Sequence, residues 1–590
     1  MMKGTFTMDY RKLADLLFPD VTDTPAEVEA RYPARNLPEG AKVTRFAPSP
    51  TGFVHLGGLY GATIDERLAH QSGGVVYLRI EDTDAKREVA GATEKLIRIF
   101  RQYGVRFDEG ATLDADGNVT DSGSYGPYRQ SQRAHIYHVF AKKLVEEGKA
   151  YPCFTTEEEY EELQATDKKA EIKSKEWTAA DNAAAFERQA AMRNFTLEEV
   201  AAHLAAGHPW VLRILSDGDP DGNKKVVFTD LIKGKIEMPE NSEDFVLLKS
   251  DGIPTYHFAH AVDDHLMHTT HVVRGEEWLP SSAKHIQLFR YLGFAMPKYM
   301  HTAQVMCFDA NGNKRKLSKR DMGSNMEDFF RLGYAPVCVC EYLMTILNSN
   351  YEEWRAQNPD RPYTDFPFSI KKMSASGCVM DIPKLNDVSK NVLSRFTAAE
   401  IYDATVAWAA DCDPELHACL TADPAYAQAI FAIGRGGKKP RKDFATFADV
   451  KPYLDFFYDS LFSIRDSLPD GTDPADVRAA INAFCAVYDE SDDSTAWFDK
   501  IKSIADSLGY ASDMKAYKQN PSAFRGSVAD ISSFLRLAVT GRLNAPDLYT
   551  VMHLLGRSRT LSRLTAFAEG TGETTGRTLG RTLGRTLGDS

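Results

Sequence analysis

Two stretches of the 590-residue chain carry the residue types that could do chemistry on an anion. Val43–Gly58 (VTRFAPSPTGFVHLGG) opens as a short strand bearing Arg45. Pro48 and Pro50 then break regular structure, since each fixes φ and lacks an N–H. Gly52 permits a turn, and His55-Leu56-Gly57-Gly58 leads into a helical run, Leu59–His70. Strand, glycine-bearing turn and helix N-terminus together point unpaired N–H groups and the positive end of a dipole at one spot, which favours phosphate. Lys316-Leu317-Ser318-Lys319-Arg320, within the polar loop Asp309–Asp321, adds three cations in five residues beside a hydroxyl. Alone, a turn is usually a turn and a basic loop a solvated one; it is as a pair that they suggest a nucleotide site.

The elements that must position them read as alternating β and α. Val75–Ile80 is a buried strand by composition and ends in Glu81, Asp82 and Asp84; Thr269–Val273 is another and ends in Arg274, Glu276 and Glu277. Charge at the end of a buried strand is costly unless it serves a site or pairs locally. Helices are predicted at Ala92–Tyr103, Ala134–Gly148 and Ser282–Leu292, with further sheet at Phe245–Lys249, Pro254–His260 and Met300–Phe308. Ahead of them, Tyr10–Phe18 reads as a short amphipathic helix and Pro25–Ala41 as Pro/Glu-rich connection. Beyond Asp328 the pattern is mainly helical.

Composition bounds the rest. An apolar fraction of 43% and a charged fraction of 26% are those of a soluble globular protein, and the length suggests about four domains. A net charge of −13 argues against non-specific nucleic-acid binding, so an RNA partner would need local basic patches such as Gly434–Lys442, with five cations in nine residues. Eight scattered cysteines fit reduced thiols in a cytoplasm, and no apolar run is long enough to span a bilayer. Glu157–Glu162 reads as a solvated helical face. In residues 571–590, Arg-Thr-Leu-Gly recurs three times, a composition that cannot form a core and predicts disorder.

RFAPSPTG (Arg45–Gly52), RIEDTD (Arg79–Asp84), PTYHFAHAVDDH (Pro254–His265), RGEEW (Arg274–Trp278) and KLSKR stand in the order found in bacterial glutamyl-tRNA synthetases, which the chain resembles over Val43–Arg395. The resemblance implies an α/β fold: a class I synthetase Rossmann-type parallel sheet with an α+β insertion, followed by an all-α C-terminal half. It implies an N-terminal extension (1–42), a catalytic domain in two halves (43–120 and 251–330) around an insertion for the tRNA acceptor end (121–250), a helical connecting domain (331–395), a helical anticodon-binding region (396–570) and the low-complexity tail (571–590). The partners implied are L-glutamate, ATP and tRNA(Glu), with Mg²⁺ on the ATP phosphates, no membrane and a monomeric state. Some relatives carry zinc near Cys153-Phe154-Thr155; here Thr155 replaces the second cysteine and no further cysteine occurs before Cys307, so no zinc is expected.

Residue by residue, the resemblance assigns ATP to Pro48, His55, Gly57, Gly58, Glu277, Trp278 and Lys316, Leu317, Ser318, Lys319 and Arg320, with His55, Lys316 and Lys319 catalytic. It assigns glutamate to Arg45, Ala47, Ser49, Glu81, Tyr256, His260 and Arg274. Two positions depart from the pattern: Gly58 stands where the general class signature has a second histidine, and His260 where relatives commonly have asparagine. Arg45 and Arg274 can each hold a carboxylate bidentately; Arg45 with Tyr256 is the choice for the side-chain carboxylate, although residue type does not divide the two. Glu81 suits the ammonium. Lys371-Lys372-Met373-Ser374-Ala375-Ser376 is a near-copy of the second signature, read as a decoy because Ala375 replaces its second lysine. The rival readings are a glutamine ligase, a shorter relative that glutamylates a tRNA base, a catalytically dead RNA-binding paralogue and a small-molecule nucleotidyltransferase.

Overall fold

A computed structural model of the chain describes residues 8–84, 89–155, 193–309, 311–317, 321 and 324–571. The acidic run Glu157–Glu162, Ser318, Lys319 and Arg320, and the Arg-Thr-Leu-Gly repeats lie outside the described residues. The chain forms two compact units, Met1–Asp328 with Cys340–Asp381, and Phe329–Val339 with Ile382–Ser590. Among the described residues no helix is long and apolar enough to cross a membrane.

In the first unit, α1 (Tyr10–Leu17) buries Leu13, Ala14 and Leu17, and α2 (Pro25–Ala30) is started by a Thr24/Glu27 capping box with proline at its first position. Part of the expected Pro25–Ala41 connection is therefore a helix, whose start signals outweigh the prolines around it. β1 (Val43–Phe46) leads to α3 (Leu56–Gln71), and then β2 (Val75–Leu78) lies parallel to β1. The helix α3 starts three residues before the expected Leu59. Its two early glycines are tolerated because the His55 carbonyl accepts from both Gly58 N–H (2.8 Å) and Leu59 N–H (3.2 Å). After α4 (Ala92–Gln102) come β3 (Glu109–Leu113), parallel to β2, and β4 (Val119–Ser122), antiparallel to β3.

The inserted part begins after α5 (Ala134–Glu146). It contains β5 (Ala150–Cys153), α6 (Leu197–Ala205), β6 (Val211–Ile214), the hairpin β7 (Lys225–Asp230)/β8 (Gly234–Pro239) and β9 (Val246–Leu248). Strands β5, β6 and β9 form an antiparallel sheet.

The segment Pro254–His260, expected to be sheet, instead opens α7 (Tyr256–Leu266). Phe258, Val262 and Leu266 follow helical spacing, but the helix is buried almost all round, which hides that period in the sequence. β10 (His271–Gly275), α8 (Ser282–Leu292) and β11 (Lys298–Thr302) follow, with β10 parallel to β11. Thr270 N–H donates to the Val43 carbonyl (2.9 Å), so β10 lies beside β1. The crevice at the carboxyl ends of β1 and β10 is where the connections diverge, the usual place for a ligand in such a sheet.

Met300–Phe308 is not one strand. It breaks after Thr302, and β12 (Val305–Phe308) enters another sheet between β13 (Lys314–Lys316) and β14 (Cys378–Val379). Half of the expected basic loop is thus a hairpin, closed by the Asp309 carboxylate accepting from the N–H groups of Asn311 and Asn313 (both 2.8 Å). The near-copy at Lys371–Ser376 is the turn that feeds β14.

The second unit is helical around one core that includes Ile401, Leu416, Phe457, Phe484, Ile501, Leu535, Val551 and Leu564. In Gly434–Lys442, Arg435 donates to the Leu393 carbonyl (2.7 Å) and Arg441 pairs with Asp443 (2.7 Å), while Lys438, Lys439 and Lys442 are exposed.

At the C-terminal end of α3, His70 bridges Glu66 (3.2 Å) and Asp108 (2.9 Å). Asp108 first, then Glu66, raise the imidazole from 6.5 to about 9. A group whose folded pKa is raised contributes stability that is full below about pH 6.5 and is lost as pH rises through about 9. His70→Gln is therefore expected to flatten the decline in urea midpoint between these two pH values, with little change in slope below them.

Candidate active site

Arg45, on β1, points into the protein and is 3% exposed. Its Nε donates to Asp264 Oδ2 (3.2 Å) and its Nη1 to the Val273 carbonyl (3.4 Å). Asp264 is the centre of this cluster: it also accepts from Arg79 Nη1 (2.6 Å) and meets His260 Nδ1 at 2.9 Å. Burial would raise its carboxyl, but Arg45 and then Arg79 hold it well below the usual range. The neighbouring Asp263 takes Arg133 (2.7 Å), Gln130 (2.9 Å) and Tyr137 (2.8 Å). Two adjacent carboxylates on a buried helix thus orient three guanidiniums.

Glu81, just beyond β2, pairs with Arg79 Nη2 (3.1 Å), and its N–H donates to the Pro48 carbonyl (3.0 Å). Here burial wins over Arg79 and Arg45, and the carboxyl is raised. Asp82 is used structurally, accepting from the Ser131 N–H and hydroxyl (2.8 and 2.6 Å). Ala47 and Pro48 are half-buried on the same loop and Ser49 is exposed.

Arg274, at the end of β10, is held on three sides. Nε donates to His301 Nε2 (2.9 Å), Nη1 to His285 Nδ1 (2.9 Å) and Nη2 to Ser282 Oγ (3.1 Å), with the guanidinium over the Tyr299 ring. Tyr256 brings the separate parts together: burial raises its phenol, while Arg274, Glu81 and Arg45 all act on it at close range. Its ring lies 4.3 Å from that of Trp278. His260 is fully buried with Nε2 hydrogen-bonded to Tyr299 OH (2.9 Å), and Nδ1 lies 2.9 Å from Asp264 Oδ2 without hydrogen-bond alignment. Burial lowers it to about 4, so it is neutral at physiological pH.

The first signature loop meets Ser324–Met326 through backbone. His55 forms an antiparallel bridge with Asn325, Leu56 N–H donates to the Ser324 carbonyl (3.1 Å), and Met326 N–H to that of Val54 (3.0 Å). On the other side Leu317 N–H donates to the Val305 carbonyl (3.2 Å), and the Arg315 guanidinium forks onto the Asp321 carboxylate. Lys316, ahead of these contacts, is exposed. A Cβ on Gly57 would meet nothing within 4 Å, so this end of α3 is open to a ligand, whereas one on Gly58 would touch the Phe46 ring. Glu277 is exposed and folds back on Gly275, its carboxylate lying over the position a Cβ there would take.

Sequence reasoning passed over Asp263, Asp264, Arg133, His285, His301 and the Arg315–Asp321 fork. For the aspartates a signal existed: two adjacent acids in an apolar run must find buried partners. Among the described residues no three His, Cys, Asp or Glu side chains are grouped to hold a metal ion, and all eight cysteines are free thiols.

A parallel sheet with the Val43–Gly58 loop and the start of α3 at its carboxyl edge has the organisation of the catalytic core of a class I aminoacyl-tRNA synthetase. Residues 42–357 match the family described as tRNA synthetases class I (E and Q), catalytic domain, and residues 438–568 match the anticodon binding domain. The chain is 48% identical to the glutamate–tRNA ligase of Acetivibrio thermocellus, covering 94% of this chain and 99% of that one. It is 44% identical to the enzyme of that name from Clostridium perfringens, over 95% and 100%. A crystal structure of a glutamate tRNA ligase from Elizabethkingia meningosepticum in complex with its amino acid superposes with a TM-score of 0.69 at 25% identity, covering 90% of this chain and 99% of that one. The chain belongs to the glutamate–tRNA ligase family.

Asp264→Asn leaves two buried guanidiniums short of a counter-charge. It is expected to lower unfolding free energy by about 3–5 kcal/mol in urea denaturation; a change within about 0.5 kcal/mol, as for an ordinary surface substitution, would contradict the central position given to this carboxylate.

Proposed function

We propose that the pocket between Arg45, Glu81, Tyr256 and Arg274 takes L-glutamate, and that His55, Gly57 and the Lys316–Arg320 loop take the phosphates of ATP, which enters as its magnesium complex. Arg45 with Tyr256 receives the side-chain carboxylate, Arg274 the other carboxylate and Glu81 the ammonium; Trp278 and Glu277 border the adenosine. An α-carboxylate oxygen attacks the α-phosphorus, and the bond to pyrophosphate breaks. The terminal ribose hydroxyl of tRNA(Glu) then attacks the carbonyl carbon of the adenylate, and AMP leaves. Neither step requires a protein nucleophile, so catalysis rests on positioning and on charge aimed at the five-coordinate phosphorus. Lysine suits phosphates that move during reaction, being a flexible point charge.

The observation that carries this reading is the junction of His55 with Asn325 in the same unit as the Arg45–Tyr256–Arg274 cluster. A neutral glutamine amide in a pocket of buried guanidiniums would leave charge unpaired, which favours glutamate. The insertion at 121–250 would then receive the acceptor end, 331–395 the stem and 396–570 the anticodon. In the last of these, a cleft of about 390 Å³ is lined by Trp497, Phe498, Lys502, Arg536 and Tyr549, rings and cations that suit an unstacked base. Free thiols fit a reducing cytoplasm, and a monomer needs no further surface.

Lys319→Ala is expected to lower kcat by about 10²–10³, or roughly 3–4 kcal/mol of barrier, with KM for glutamate little changed. Purified protein should charge total tRNA with glutamate; charging with glutamine alone would overturn the pocket assignment.

A further inference from the structure

Arg274 is oriented by groups that have no part in binding, and these lead to a residue on the inserted hairpin. Because Arg274 Nε–H is a donor, His301 must accept at Nε2 and carry its proton on Nδ1. That Nδ1–H donates to Asp230 Oδ2 (2.7 Å), and His301 N–H donates to the same oxygen (3.0 Å). Asp230 Oδ1 is used separately, accepting from the N–H groups of Ile232 (2.9 Å) and Lys233 (2.8 Å) and so folding the turn between β7 and β8. The carboxylate is 1% exposed and cannot itself reach a substrate. Leu231 N–H donates to the Tyr299 carbonyl (2.9 Å), and Lys233 Nζ reaches both Glu276 Oε2 (2.5 Å) and the Ala375 carbonyl (2.6 Å), so the turn is fixed to the site from three directions.

We propose that Asp230 is a positioning residue for glutamate binding: by accepting the His301 Nδ1 proton it sets the one tautomer that can receive Arg274 Nε–H, and so aims the guanidinium. Three of the five N–H donors of Arg274 are occupied by His301, His285 and Ser282. The rest of the fork also hydrogen-bonds to the Tyr256 side chain, so a carboxylate would meet Arg274 together with that phenol. Reversing the tautomer of His301 sets two donors against each other at Nε and turns the fork away. Burial would raise the Asp230 carboxyl, but His301, then the N–H groups of Lys233 and Ile232, hold it below its ordinary value, which keeps it an acceptor.

The inference rests on Arg274 contacting glutamate, so the test separates the two. In tRNA charging by the full-length protein, Asp230→Asn presents an amide donor to His301 and is expected to raise KM for glutamate roughly 10- to 100-fold, the usual loss on removing such an outer partner, with KM for ATP changing far less. His301→Gln keeps an acceptor toward Arg274 and a donor toward Asp230 and should retain most of the glutamate affinity, whereas His301→Leu should lose it. Should Asp230→Asn not fold, the Gln/Leu pair decides alone, since both keep the backbone N–H that donates to Asp230 and leave the turn's own residues unchanged; equal KM values for the two would overturn the proposal. An unchanged glutamate KM in Asp230→Asn, with a raised one in Arg274→Lys, would also overturn it. If Arg274→Lys too leaves glutamate KM unchanged, the assignment of Arg274 to glutamate has failed.

Discussion

The carboxylate of Asp264, shut between Arg45, Arg79 and His260, is the contact on which the rest of the catalytic unit depends. A pocket for a substrate with two carboxylates needs buried positive charge, and buried positive charge is untenable without a partner. The chain meets both demands by seating the partner on the protein side of the guanidiniums, on a helix with no exposed face. Glu81 shows the opposite outcome with the same functional group. It shares one guanidinium, burial prevails, and its carboxyl is raised.

Around Arg274 the protein uses imidazoles where it could have used acids. His257, His260, His285 and His301 are all lowered, burial being the largest cause in each; Asp264 opposes it at His260 and Asp230 at His301, while Arg274 adds to it at all four. Neutral rings accept hydrogen bonds from a guanidinium without cancelling its charge. A carboxylate in the place of His285 or His301 would hold Arg274 as firmly and quench it. Asp230, the acid behind His301, is kept a full imidazole away from the guanidinium.

How far this was legible in the sequence depended on distance along the chain. Helix Ser282–Leu292 and the strand ends bearing Glu81 and Arg274 could be read locally, because turn residues, apolar runs and abrupt charge are neighbours in sequence. The helix α7 was mistaken for sheet because its polar residues are buried too, so no solvent face marks its period. Strand β13 was hidden by its composition, Lys-Arg-Lys, which resembles a solvated loop until Asp309 is seen to close a hairpin. The orienting shell was out of reach: nothing near Asp230 announces that its partner is a histidine 71 residues later.

That same separation bears on how the molecule comes into being. Arg45 and its counter-ion are 219 residues apart, and Val43 joins Thr270 across 227. The first strand of the sheet leaves the ribosome long before the helix that neutralises it. Closing so long a loop is costly in chain entropy and late in time. Until then Arg45 and Arg79 belong to a half-built sheet with an open edge. An edge carrying buried-to-be cations is a poor template for pairing with another chain, so Arg45 and Arg79 set the unfinished sheet against association with others of its kind.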